Sequence, residues 1–140
     1  MTRAERKQRV LVIDDEPALT RMLKLALEDT GAFEVQEEHQ GARAMEAVLA
    51  FQPHVILLDI IMPDIDGIEV AAQLQADAWT KRIPVIFLTA VVRRAEARAK
   101  HGLIGGNRFL AKPVAIEEVR ACLRQVGIGH HEAAEKQPRG

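Results

Sequence analysis

Val55-Ile56-Leu57-Leu58-Asp59 is the stretch on which the reading of this chain turns: four consecutive apolar residues, then at once an acid. An unbroken apolar run of that length is what a strand buried on both faces requires. Pro53 ends whatever precedes it, and Pro63-Asp64-Ile65-Asp66-Gly67 after it reads as a turn with Asp66 as helix N-cap. Three further segments have the same form. Val10-Leu11-Val12-Ile13 runs into Asp14-Asp15, Val85-Ile86-Phe87-Leu88 into Thr89, and Phe109-Leu110-Ala111 into Lys112.

Working outward, strands are expected at 9–13, 34–39, 55–59, 84–89 and 108–111, and helices at 16–30, 42–51, 68–76, 93–101 and 116–126. The 34–39 segment alternates polar and apolar residues, as an edge strand does. Pro17 suits a first helical turn and Gly31 a helix stop. Strands alternating with helices of this length give an α/β fold, a parallel sheet with helices on both faces. In such a sheet ligands bind beyond the carboxyl ends of the strands. Residues distant in sequence (Asp14, Asp15, Asp59, Thr89, Lys112) should therefore meet at one edge.

Size and composition narrow the class. A chain of 140 residues fits one domain, and 48% apolar content is enough for a core. A formal charge of −1 argues against a dedicated nucleic-acid binder. The single cysteine, Cys122, excludes an internal disulfide and falls in a helical apolar pattern with Val119, Leu123 and Val126, so it belongs to the core. No run of 18 apolar residues is present, and the basic lead at 1–8 passes straight into a strand without a signal-peptide core. The expectation is a cytoplasmic domain over 9–127, followed by a disordered tail at 128–140 with little to bury. His130-His131 in that tail lack a third ligand and read as solvated.

The acids carry the chemical argument. Asp14 or Asp15 could cap a helix, but capping needs only one of them. A second acid there, and a third, Asp59, ending an apolar strand, are costly unless a cation offsets them. Lys112 supplies one positive charge; a divalent ion would supply the rest. Thr89 alone says little, because Thr is a good strand residue. Together the set suits Mg²⁺-dependent phosphoryl transfer to a carboxylate.

The motifs Asp14-Asp15, Asp59 through Met62-Pro63-Asp64-Ile65-Asp66-Gly67, Thr89-Ala90 and Phe109-Leu110-Ala111-Lys112-Pro113 resemble those of the response regulator receiver domains of two-component signalling, in order and at suitable separations over residues 8–127. The resemblance implies a doubly wound, five-stranded parallel sheet of order 2-1-3-4-5, CheY-like and of the stand-alone type. It implies Asp59 as phosphoacceptor, supplied by a sensor histidine kinase or phosphotransfer protein. Asp14, Asp15, Asp59 and the backbone carbonyl of Ile61 would hold Mg²⁺, and Lys112 would offset phosphoryl charge. Thr89 would read the product through its hydroxyl, and Phe109 would be the switch aromatic, turning inward. Lys112-Pro113 would be cis. The output would be protein contact with a downstream target, without nucleic acid or membrane, and with a phosphorylation-dependent dimer as one outcome. Such a module is not a conventional enzyme.

Two flanking positions depart from the polar residues often found in the family. Ile61 and Val91 supply no base for water, so slow loss of the phosphoryl group is expected. The Gly102-Leu103-Ile104-Gly105-Gly106-Asn107 stretch reads as a helix stop plus loop. In helix 16–30 a second apolar face (Ala18, Met22, Leu25) either docks a helical partner or is buried by neighbours. Arg93, Arg94, Arg98 and Lys100 would form a solvated or acid-binding face. A haloacid-dehalogenase-type hydrolase fits poorly, because Asp59 is followed by Ile60-Ile61 where a second acid is needed. An adaptor that kept the fold without the chemistry is the other alternative.

Overall fold

The computed structural model describes residues 6–90, 103–104 and 107–128; the expected helix at 93–101, Val91 and the 130–131 histidines lie outside them. Within those residues the order is β1 (Gln8–Ile13), α1 (Pro17–Glu28), β2 (Phe33–Glu38), α2 (Ala44–Phe51), β3 (Val55–Asp59), α3 (Gly67–Ala76), β4 (Val85–Thr89), β5 (Leu103–Ile104), β6 (Asn107–Ala111) and α4 (Ile116–Gln125). One 3-10 turn, Gly41–Arg43, leads into α2, and another, Thr80–Arg82, precedes β4. The sheet order is β2-β1-β3-β4-β6-β5. Its five longer strands are parallel and follow the expected 2-1-3-4-5 order, with β2 at the edge.

The sixth strand is a correction. Leu103–Ile104 pairs antiparallel with Asn107–Arg108, where a plain loop was expected. Two short segments separated by a Gly-Gly pair are a hairpin signal that the loop reading passed over.

Each unbroken apolar run divides its side chains between two cores. Val10, Val12, Val55, Leu57, Ile86 and Leu88 pack with Leu23 and Leu27 of α1 and Val119 and Leu123 of α4. Leu11, Ile13, Ile56, Leu58 and Phe87 pack with Val48 of α2 and Val70 and Leu74 of α3. Helices therefore leave β1 toward one face and β3 toward the other, and the crevice between the carboxyl ends of these neighbouring strands is where a doubly wound sheet places its site.

Helix α4 ends in a Schellman cap: Gly127, at φ +89°, donates to the Arg124 carbonyl at 3.0 Å, and Ile128 donates to that of Leu123 at 2.8 Å. The cap folds Ile128 back into the α1–α4 core, where it is 6% exposed. Ile128 thus packs with the core of the domain, at the first position of the expected tail.

Candidate functional site

The carboxyl edge of the sheet gathers the acids. Asp14 follows β1 and is fully buried; Asp59 ends β3 and is 3% exposed. Oxygen atoms of Asp14, Asp15 and Asp59 lie within 4.8 Å of one another. The Lys112 Nζ stands 2.8 Å from Asp14 Oδ2, 2.8 Å from Glu16 Oε1 and 3.5 Å from Asp59 Oδ2. Its position is set by backbone: the Lys112 N–H donates to the Thr89 carbonyl at 2.8 Å, continuing the β4–β6 ladder one step past the Thr89–Ala111 pair. The Lys112–Pro113 peptide is cis, as the resemblance implied.

Local chain geometry aims the carboxylates. Asp14 Oδ1 accepts from the Glu16 N–H at 2.9 Å, and Asp59 Oδ1 from the Ile61 N–H at 3.3 Å. Behind Asp59 the start of α3 is pressed against the strand end, with the Gly67 N–H donating to the Ile60 carbonyl at 2.7 Å. A Cβ on Gly67 would collide with the Asp59 carbonyl oxygen and stand 2.8 Å from Ile60 Cα, so only glycine admits this approach. Asp66 caps α3 through the Ile68 N–H at 2.7 Å. Asp64 accepts from the Gly41 and Ala42 N–H groups at 3.3 and 2.8 Å, tying the loop after β3 to the entry of α2.

Burial pushes the Asp59 carboxyl up to about 6, helped by the neighbouring Asp14 charge and only partly opposed by Lys112 and the Ile61 N–H. For Lys112 burial works against the charged form, but hydrogen bonding to Asp14 and Glu16 outweighs it and raises the ammonium above its ordinary range. The buried Asp14 Oδ2 has no aligned hydrogen bond despite its 2.8 Å ammonium contact. A crowded all-oxygen set with one underserved buried acceptor fits a small, hard divalent cation such as Mg²⁺.

Five of the residues picked from the sequence thus stand at one edge: Asp14, Asp15 and Asp59 clustered, Lys112 in reach of Asp14 and Asp59, and Thr89 buried at the end of β4. Ile61 is 60% exposed at the rim. Phe109 is 4% exposed within the α2–α3 core. Glu16 was read only as a helix residue. Its place directly after two acids was the available signal that it shares their counter-ion.

A doubly wound sheet with an acidic pocket and a lysine at its carboxyl edge is the arrangement of a class of signalling modules. The chain belongs to the response regulator receiver domain family, whose model matches residues 10–124. It is 39% identical over 118 residues to the transcriptional regulatory protein TrcR of Mycobacterium tuberculosis, covering 83% of this chain and 44% of that protein. It is 35% identical over 129 residues to the phosphate regulon transcriptional regulatory protein PhoB of Pseudomonas aeruginosa, covering 89% and 55%. The chain spans about half the length of the curated relatives it matches. Among solved structures it is similar to a response regulator of Chloroflexus aurantiacus (TM-score 0.74, 26% identity, 86% of this chain and 98% of that one). It is also similar to the Vibrio cholerae chemotaxis protein CheY4 (TM-score 0.73, 26% identity, 86% and 99%). Among the described residues no helix is long and apolar enough to cross a membrane.

Proposed function

We propose that this domain is a phosphorylation-controlled receiver whose acceptor is Asp59. A carboxylate oxygen of Asp59 attacks phosphorus, the P–N bond of a phosphohistidine on a histidine kinase or phosphotransfer protein breaks, and its electron pair returns to the imidazole nitrogen. Asp14, Asp15, Asp59 and the Ile61 carbonyl would hold Mg²⁺, which when bound would offset charge on the transferring group. Lys112 adds the second positive charge, and Thr89 donates its hydroxyl to a phosphoryl oxygen once transfer is complete. The observation that carries this reading is the convergence of Lys112 Nζ on Asp14 and Asp59, 2.8 and 3.5 Å away, beside three mutually crowded acids.

Transfer replaces the single negative charge of the Asp59 carboxylate by about −1.5 to −2 on the acyl phosphate. Thr89 and the backbone bond from Lys112 to its carbonyl are the first elements to feel it, and they bias the β4–β6–α4 face toward a second state read by a protein partner. Nucleic acid is not contacted by this domain. The expectation that the second face of α1 is open to a helical partner is supported by exposure: Met22 is 39% and Leu25 60% exposed. That face is proposed as the kinase-side contact. Intact-mass measurement after incubation with acetyl phosphate and Mg²⁺ tests the reading. One added phosphoryl group in the wild type and none in Asp59→Asn supports it; equal labelling, or none in either, refutes it.

A further inference from the structure

The proposed chemistry gives no role to Glu16, yet Glu16 Oε1 lies as close to the Lys112 ammonium as the buried Asp14 does, 2.8 Å in each case. The acceptor oxygen of Asp59 is farther, at 3.5 Å. The ammonium is therefore held on the β1 side of the pocket by two carboxylates, one buried and one at the rim, and stands off the residue that is to be phosphorylated. We propose that Glu16 is a positioning residue: it anchors Lys112 away from Asp59 in the resting domain and must release it as the phosphoryl group arrives, so that it restrains phosphoryl acceptance.

Three features support an anchor over a helix-stabilising role. Glu16 is the N-cap of α1, but its side chain makes no capping hydrogen bond; the turn is held instead by its backbone, whose N–H donates to Asp14 and whose carbonyl accepts from Leu19 and Thr20. The Glu16 side chain is 60% exposed whereas that of Lys112 is 14% exposed, so the carboxylate can swing into water while the ammonium has only the pocket to move within. The ammonium donates to Glu16 and lies in ion-pair contact with Asp14, both at 2.8 Å, so closing the 3.5 Å gap to a phosphoryl group on Asp59 draws it off the Glu16 leg, the one that is exposed and free to yield. A rim-exposed leg of this kind is weak, which sets the expected effect at about two- to fivefold in rate.

This inference rests on the Asp59 acceptor reading, so the test has one arm that precedes phosphorylation. In the metal-free wild-type domain the ¹⁵N–¹H signal of the Lys112 ammonium, assigned by its loss in Lys112→Met, is expected to exchange slowly. In Glu16→Gln, which keeps length but not charge, and in Glu16→Asp, which keeps charge but not reach, the signal shifts and exchanges faster. In the second arm, acetyl phosphate and Mg²⁺ transfer a phosphoryl group: the Asp59 O–P bond forms, the donor P–O bond breaks and acetate leaves with its electrons. Both variants are expected to accept the group about two- to fivefold faster than wild type, with the gain fading as salt is raised. If the ammonium signal is the same in all three proteins, or if neither variant is faster, the anchor is overturned. If only Glu16→Gln is faster, its missing charge rather than its reach is responsible, and the anchor is again overturned. A shifted ammonium signal in a domain that takes no phosphoryl group overturns the acceptor reading instead.

Discussion

Replacing Asp59 by Asn should make the metal-free domain more stable, by an amount that depends on pH. Asp59 ionises at about 6 in the folded chain against an ordinary value of 3.8. The folded state thus binds the proton more tightly than the unfolded one, and stability falls as pH rises from the unfolded value through the folded one. The full difference is 6 − 3.8 = 2.2 units; at 1.36 kcal/mol per unit it reaches about 3 kcal/mol above pH 7. At pH 4.5 most of the folded carboxyl is already protonated, and the same linkage leaves about 1 kcal/mol. Asn keeps the shape without the charge. Urea unfolding followed by the fluorescence of Trp79, the single tryptophan, measures the gap directly. The midpoint of Asp59→Asn should exceed that of wild type by roughly 1–2 M at pH 7.5 and clearly less at pH 4.5. Mg²⁺ at about a hundred times its Kd should return some 2.7 kcal/mol to the wild type and close most of the gap. A gap that is equal at both pH values, or a variant less stable than wild type at pH 7.5, would refute the claim that burial and Asp14 strain Asp59.

Gly67→Ala should cost more than about 2 kcal/mol, because its Cβ meets backbone at Asp59 and Ile60 rather than a side chain that can move aside. The same urea titration reads it, and labelling by acetyl phosphate should slow with it as Asp59 is displaced. Ile61→Asn should speed decay of the phosphorylated form by about tenfold or more, since an amide at the rim can orient water where the Ile side chain cannot; following phosphate release over time decides, and equal half-lives would sink the proposal. Ile128→Ala should cost about 2–4 kcal/mol if the residue is part of the α1–α4 core, whereas a residue of a solvated tail would cost nothing measurable.

The sheet was legible because its central strands carry unbroken apolar runs: Val55–Asp59 is bounded in the structure as in the sequence, and the two-sided burial of Val10–Ile13 follows from the same pattern. The acids were legible because each ends such a run. Three things were not. The Leu103–Ile104 strand is two residues long, too short for any periodicity to register. Ile128 looks like tail because the Schellman cap that folds it inward is a matter of backbone angles, with Gly127 as its one sequence trace. Glu16 and Asp64 act across the fold, on Lys112 and on the Gly41–Ala42 amides, and no spacing along the chain announces partners 96 and 22–23 residues away.

What makes the site responsive is an imbalance in how its one ammonium is shared. Lys112 lies closest to Asp14 and Glu16 and leaves Asp59, whose carboxyl is pushed up to about 6, less compensated than either. A carboxylate raised toward 6 is more basic than an ordinary aspartate, which favours it as an acceptor while it stays ionised at neutral pH. The same imbalance means that a phosphoryl group arriving at Asp59 draws on Lys112. Its N–H is bonded to the Thr89 carbonyl, and the Asp59 carbonyl is packed against Gly67 with no room for a methyl group. On the proposed reading, movement at the acceptor would pass to β4 and to α3 through these close backbone contacts, which is what a tightly packed interior requires for a local charge to become a change of state.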